Sequence, residues 1–358
     1  MLVGGTVRGI TDGKESAFCR GVMESSGDIL TLATPHATRR IERALLVLNP
    51  AARGGLAALP RVRDAFRRAG VSCDIVETRA PGHATQLVHE RLASDADPVG
   101  AIFTLGGDGT AMEAATALAE HADAPPLGIL AVGTANVLAR SLGIPLQLDA
   151  AVQALLDADA VSIDLGHIVG GPRFAIGLGV GLDASMIGGA SSAMKRRIGY
   201  IAYAWSALLA GLRMERFTAR ITVDGAVHEV ETSSVLVANF GLVLSDLVCF
   251  GEQVHHADGR LDVCVYSPRS LLDAARILWR MLRGGVSRDR CVRTISGRHI
   301  RVETDPPRRM QADGEMLGLT PVEIHVEPIA VRLLVPSCPA RRWRVRRAEA
   351  RVAPEAMR

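Results

Sequence analysis

The stretch Ala101-Ile102-Phe103-Thr104-Leu105-Gly106-Gly107-Asp108-Gly109-Thr110-Ala111-Met112-Glu113 decides the fold. It opens inside a nearly continuous apolar run, Val99–Leu105, as expected of a strand buried on both faces. It passes through three glycines around one aspartate and closes in a helix predicted over Ala111–His121. Successive glycines let backbone N–H groups turn inward and approach an anion closely. The helix that follows presents the positive end of its dipole to the same spot. Asp108 cannot attract a phosphate by charge. Its natural roles are to orient a magnesium ion or a water, or to take a proton from a hydroxyl. Thr110 can cap the helix or bond a phosphate. The plain structural alternative is a strand-to-helix turn with a capping aspartate.

Outward from this loop, strands alternate with helices. Ala44–Leu48 reads as a strand that ends in Asn49-Pro50 and the loop Ala51–Gly55. A helix is predicted over Pro60–Ala69, stopped by Gly70, then a strand over Val71–Glu77 and a helix over Ala84–Ala93. After the glycine loop come a strand over Leu127–Val132 and a helix over Asn136–Ser141. This alternation specifies a doubly wound α/β domain with a parallel sheet covered on both sides. Near residue 160 the rhythm changes. Short strands dominate: Val161–Leu165, Phe174–Val180, Phe217–Val223, Ser234–Phe240, Leu261–Tyr266, His299–Glu303, Val322–Val326 and Ala330–Val335. Asp-Gly turns at 224–225, 258–259 and 313–314 separate many of them, which specifies a mostly antiparallel β-sandwich. Two helices interrupt it, Ile198–Leu212 and Leu271–Arg283. The expected plan is a flexible extension over 1–40, an α/β domain over 41–160 completed by a segment near 327–338, a sandwich over 161–326 and a basic tail over 339–358.

Composition narrows the function classes. Hydrophobic residues make up 48% of the 358 residues but aromatics only 4%, so the cores must rest on Val, Leu, Ile and Ala. The formal charge of +3 is too small to point to nucleic acid, and none is expected as a partner. The charge is uneven, however, because residues 341–358 hold seven arginines and two glutamates. The chain has only two lysines, Lys14 and Lys195, so the lysine of a Walker phosphate loop has no candidate. The six cysteines form no C-x-x-C pair and no zinc spacing, which suits a reducing cytosol. The longest uncharged run, Ala124–Ala139, is broken by Pro125, Pro126, Gly128 and Gly133, and residues 1–40 lack the apolar core of a signal peptide. The expectation is a soluble or peripheral protein.

In an open parallel sheet, ligands bind beyond the carboxyl ends of the strands. Asn49-Pro50, the Gly106–Thr110 loop and Gly133-Thr134-Ala135-Asn136 stand at three such ends, and Thr78, just past the second strand, can join them. Together they describe one nucleotide cleft, although Thr134 and Asn136 also suit helix capping.

The ordered set from Asn49-Pro50 through Gly106-Gly107-Asp108-Gly109-Thr110 to Gly133-Thr134-Ala135-Asn136 resembles the diacylglycerol kinase catalytic-domain superfamily. That superfamily includes bacterial diacylglycerol kinase, YegS-type lipid kinases, and sphingosine and ceramide kinases. The resemblance runs on through Gly179–Ala184, Asp258-Gly259-Arg260-Leu261-Asp262 and Asp313-Gly314-Glu315, and covers roughly residues 42–336. It implies ATP-dependent, magnesium-assisted phosphorylation of a lipid hydroxyl in a cleft between the two domains. Diacylglycerol or a related glycerolipid is the first expected acceptor, with ceramide or a sphingoid base second. By position it implies nucleotide contacts from Asn49, Thr78, the Gly106–Thr110 loop (Gly106, Gly107, Asp108, Gly109, Thr110), Glu113, Thr134 and Asn136. It places the general base on Glu315, although Asp108 as base with Glu315 orienting the metal stays open. It also implies a structural magnesium held by the Asp258 side chain and the carbonyls of His255 and Arg260.

Three departures are visible. Met112 stands where the family often has Asn, Val137 where it often has Asp, and Arg53-Gly54-Gly55 replaces a Ser- or Lys-containing loop. Val137 removes a carboxylate near the nucleotide. The alternatives are an NAD-kinase-like enzyme using the same loop, and a non-catalytic nucleotide- or lipid-binding regulator. The expected partners are a lipid drawn from a membrane, anionic lipid at the Arg276/Arg280/Arg283 face or the Arg341–Arg351 tail, and a second copy in a homodimer. The expected place is the cytoplasmic, inner surface of a membrane. Asp183 is a further candidate near the acceptor.

Overall fold

The computed structural model describes residues 40–94, 98–181, 216–243, 248–249, 254–283 and 286–336. Its first half alternates as the sequence requires: β1 (Arg43–Leu48), α1 (Gly55–Arg68), β2 (Ser72–Glu77), α2 (His83–Ala93), β3 (Ala101–Gly106), α3 (Asp108–Ala119), β4 (Leu127–Ala131), α4 (Val137–Ser141) and α5 (Leu148–Leu156). The strands pair in parallel in the order β2-β1-β3-β4. Every residue of β3 and β4 is buried, which is why both are written almost entirely in apolar residues. At their centre Phe103 meets Phe66 of α1 edge to face, with ring centroids 4.9 Å apart.

Two details differ from the sequence-based expectation. Helix α1 begins at Gly55, ahead of Pro60, which sits inside it. Pro60 removes the N–H that would reach the carbonyl of Leu56, but Leu56 is exposed, so water can serve that carbonyl. Helix α5 lies outside the expected elements. Its Ala151, Val152 and Leu155 are buried at helical spacing against the same core.

The second half follows as β5 (Asp159–Ile168), β6 (Arg173–Phe174), β7 (Gly177–Gly181), β8 (Phe217–Val223), β9 (Ala226–Thr232), β10 (Ser234–Ala238), the paired β11 (Leu242–Val243) and β12 (Val248–Cys249), β13 (Leu261–Tyr266), α6 (Leu271–Arg283), β14 (Val292–Gly297), β15 (His299–Asp305), β16 (Arg309–Ala312), β17 (Glu315–Leu319) and β18 (Val322–Val335). The expected helix Ile198–Leu212, Asp183 and the Arg341–Arg351 tail lie outside the described residues.

The two expected strands at 322–326 and 330–335 are one 14-residue strand, β18. It joins the halves. Near its end Leu333 pairs in parallel with Leu127 of β4. Along its length it runs antiparallel to β5 and β15, so the parallel sheet continues through β15 and β8 to β9. The register shifts between Glu327 and Val331, where Pro328 has no N–H to give and Ile329 takes a left-handed backbone, φ 52°. The freed Ile329 N–H donates to Asp164 Oδ1 at 2.8 Å. Asp164 is fully buried, and its Oδ2 accepts from Gly259 N–H at 2.6 Å. One carboxylate thus ties the bulge to the Asp258-Gly259 turn.

A second sheet, β14-β13-β10-β7-β16-β17, completes the sandwich. Its central strands show the period of two that a doubly covered sheet demands. Val235 and Val237 of β10, with Leu261, Val263 and Val265 of β13, face the first sheet. Leu236, Ala238, Cys264 and Tyr266 face the other way, against Ile277 of α6.

Candidate active site

The loops after β1, β3 and β4 emerge at one edge because their strands are parallel and adjacent. Thr78 follows β2 at that edge, with its N–H donating to Leu48 O at 2.8 Å. Three interactions lock these loops together. Asn49 Nδ2 donates to Thr110 Oγ1 at 2.9 Å, while Asn49 Oδ1 accepts from Ala51 N–H at 3.0 Å. Asp108 Oδ2 accepts from Val137 N–H and its Oδ1 from Leu138 N–H, each at 3.0 Å. Glu113 Oε2 accepts from Ala84 N–H at 3.0 Å and so holds the first turn of α2.

Asp108 is therefore a cap, though of another helix than the one it begins. It closes the N-terminus of α4 from the first turn of α3. This gives Val137 a physical place: its N–H serves Asp108, and its side chain packs against the core. Met112 packs there too. The first N–H groups of α3 have no carbonyl one turn earlier to accept them, so they remain donors toward the cleft.

Gly107 and Gly133 touch backbone to backbone. A methyl on Gly133 would stand 2.7 Å from Gly107 Cα and 2.8 Å from Asn136 Oδ1, closer than real contacts allow. Gly133→Ala is accordingly expected to force the two loops apart and destabilise the fold by about 1–3 kcal/mol. Thermal unfolding measures this, and an unchanged Tm would mean that the loops do not close on each other. Thr134 is exposed on the same turn. Asn136 is buried with a left-handed backbone, φ 52°, and its Nδ2 donates to Gly133 O at 3.1 Å. Its Oδ1 is buried without a hydrogen-bond partner. The two loops thus pack glycine on glycine at the start of α3, where a helix N-terminus suits the phosphates of a nucleotide.

The second sheet contributes the facing side. Strands β16 and β17 form a hairpin around Asp313-Gly314, and β17 begins at Glu315. Glu315 reaches the glycine loop: a methyl on Gly109 would stand 3.3 Å from Glu315 Oε1. Asp313 holds the hairpin in place. Its Oδ2 accepts from Ala175 N–H at 2.7 Å, and its Oδ1 from Ile176 N–H at 2.9 Å and Gly177 N–H at 3.0 Å. Burial pushes its carboxyl up to about 6 against those three donors, and the negative charge of Asp108 adds to the rise. The sequence marks Asp313-Gly314 only as a turn. The amide clamp that fixes Glu315 depends on a strand more than 130 positions away.

The residues expected to hold a structural metal gather elsewhere in the second half. Asp258 Oδ1 accepts from Arg260 N–H at 3.0 Å. The Arg260 guanidinium donates to Ser296 Oγ at 3.0 Å and Ser296 O at 2.6 Å. Asp262 Oδ2 is buried without a hydrogen-bond partner, and burial, then the charge of Asp258, pushes that carboxyl up to about 7. Burial raises Asp164 and Asp258 as well. Asp164 spends both oxygens on Gly259 and Ile329, and among the described residues these acids do not bring three ligand atoms together, whereas His167, His325 and Glu327 do. His256 stacks on Phe240 with centroids 4.7 Å apart, and burial holds it neutral by lowering it to about 4.

Comparison with known proteins matches each half of the chain to a domain model. Residues 43–168 match the model of the diacylglycerol kinase catalytic domain, and residues 177–335 match that of the YegS C-terminal NAD kinase beta sandwich-like domain. An uncharacterized protein of Synechocystis sp. is 30% identical over 247 residues, 68% of this chain, and the match spans 56% of that relative's length. The diacylglycerol kinase of Bacillus subtilis is 26% identical over 286 residues, 79% of this chain and 93% of its own. A crystal structure of a candidate diacylglycerol kinase from Bacillus anthracis superposes with a TM-score of 0.71 at 26% identity, covering 86% of this chain and 99% of that one.

Proposed function

The chain belongs to the diacylglycerol kinase catalytic-domain family, and from that premise we propose that it transfers the γ-phosphate of ATP to a lipid hydroxyl. Diacylglycerol or a related glycerolipid is the first acceptor to test, with ceramide or a sphingoid base second. The observation that carries the proposal is the approach of Glu315 to the glycine loop at Gly109. It sets a carboxylate beside the place where helix dipole and backbone N–H groups would receive phosphate.

In this reading the N–H groups of the Gly107–Thr110 turn hold the phosphates of ATP, and Asn49 fixes the turn through Thr110. The acceptor oxygen attacks the γ-phosphorus. The bond from that phosphorus to the β–γ bridging oxygen breaks, and ADP departs. Glu315 takes the hydroxyl proton as the new bond forms. An alcohol is barely acidic, so the carboxylate is needed only as the transition state develops. Mg2+, when bound, would neutralise phosphate charge, and Asp108 would be the carboxylate of this loop to orient it. Both Asp108 oxygens already accept backbone N–H groups, which supports Glu315 rather than Asp108 as the base.

The test is a lipid panel. Each candidate lipid is presented in non-ionic mixed micelles with labelled ATP and magnesium, beside Glu315→Gln. A labelled lipid that disappears with Glu315→Gln identifies both reaction and acceptor. Turnover of NAD in place of any lipid moves the chain to a soluble-substrate kinase. Nucleotide binding without product from any acceptor makes it a regulator.

A further inference from the structure

Helix α6 carries two faces of unlike use. Ile277 and Asp273 are buried, and Ile277 packs on the outer side of β10 and β13. The opposite face follows the spacing 272, 275, 279, 283. Leu272 is 80% exposed and Trp279 54% exposed, and Ala275 and Arg283 are exposed as well. A helix that meets only water places polar residues on its outer stripe. Here that stripe is apolar and aromatic, ending in an arginine whose guanidinium lies 4.8 Å from the Trp279 ring centroid.

The charge of its own segment is mostly positive. Residues 269–293 hold seven arginines and two aspartates, with no lysine or glutamate. Both aspartates are buried and already engaged. Arg276 bonds Asp289 at 2.8 and 3.1 Å and pairs with Asp273 at 2.7 Å, and Arg280 pairs with Asp289 at 3.3 Å. The basic face expected from the sequence, Arg276/Arg280/Arg283, is thus divided. Two of its members are drawn against buried acids. The exposed arginines are Arg269, Arg283, Arg288, Arg290 and Arg293, of which Arg290 also reaches Asp273 at 3.4 Å, and no acid of the segment is exposed.

We propose that the outer stripe of α6, with the Arg288–Arg293 turn beside it, seats the protein on a membrane bearing anionic headgroups. Apolar and aromatic side chains enter the headgroup boundary while arginines stay among the phosphates. A second copy docking through this stripe would bring one arginine cluster against another. This docking gives the kinase read above its access to a lipid, and it rests on that reading for its purpose alone.

The experiment uses the full-length chain, without tag, and vesicles of phosphatidylcholine with or without phosphatidylglycerol. Flotation and quenching of tryptophan fluorescence by brominated lipid are read for the wild type, Trp279→Ala and Arg283→Gln/Arg293→Gln. The wild type is expected to bind anionic vesicles, to release with salt, and to ignore neutral ones. Each variant is expected to lose at least tenfold in vesicle partitioning, with unchanged Tm and unchanged turnover in non-ionic micelles. Variants that float like the wild type overturn the proposal. So does a wild type that binds heparin or RNA but not anionic vesicles. Micellar turnover without vesicle binding removes the docking face alone. Vesicle binding without any turnover removes the kinase reading alone.

Discussion

Glu315→Gln is expected to lower kcat for lipid phosphorylation by about 10²–10⁴-fold, the usual share of a positioned general base. Nucleotide affinity should not fall. The amide has the shape of the carboxylate but cannot take the acceptor's proton. It also removes a negative charge beside the Gly109 turn, where phosphates would sit. Single-turnover transfer and a nucleotide titration separate the two effects. Asp108→Asn should behave differently. Each Asp108 oxygen serves one backbone N–H of α4, and an asparagine keeps only one acceptor. Its main effect should be weaker nucleotide binding as the two loops loosen. Near-normal kcat in Glu315→Gln, with kcat rather than affinity lost in Asp108→Asn, would reverse the assignment of base and organiser.

Much of the fold was legible because its signals are local. An apolar run such as Ala101–Leu105, ended by glycines and followed by a helical pattern, can be read without knowing what lies beside it. The shift from βα alternation to short strands near residue 160 is equally local. The site was legible as a set of loops at strand ends. What resisted was anything fixed by partners distant in sequence. Asp108 reads as a cap or a metal ligand, and only its approach to Val137 and Leu138 shows which helix it closes. Asp164 gives one signal, a charge inside an otherwise apolar strand pattern, but its partners Gly259 and Ile329 lie 95 and 165 positions away. The single strand Val322–Val335 reads as two because Pro328 and Ile329 break its pattern, while pairing on both sides carries it through the bulge.

Asp313 offers the sharpest test of how the two halves make one site. Replacing it with alanine should strand three backbone N–H groups of residues 175–177. A buried donor left unsatisfied costs about 1–3 kcal/mol. Asp313→Asn is more informative. Its oxygen can keep Ile176 and Gly177, but its NH2 then faces the N–H of Ala175, a donor against a donor. The hairpin should loosen from the segment before β7, so that Glu315 drifts from Gly109. The expected result is a lower Tm and a lower kcat, with nucleotide affinity retained because the phosphate cradle belongs to α3. The pH dependence carries a defined sign. The folded carboxyl is raised from 3.8 to about 6, so the native state holds this proton more tightly than the unfolded chain does. The stability that Asp313 contributes is therefore fully present below its unfolded value and declines as pH rises toward about 6. Urea unfolding of wild type and Asp313→Asn across that window, in chelator, should show their stability difference narrowing as pH rises. A difference that widens instead would mean that the three amide donors outweigh burial and hold the carboxylate ionised throughout. Adding Asp108→Asn removes a like charge that helps raise Asp313, so the narrowing should move to lower pH. If it does not move, the two carboxylates are not electrostatically coupled, and the halves meet at this hairpin through backbone contacts alone.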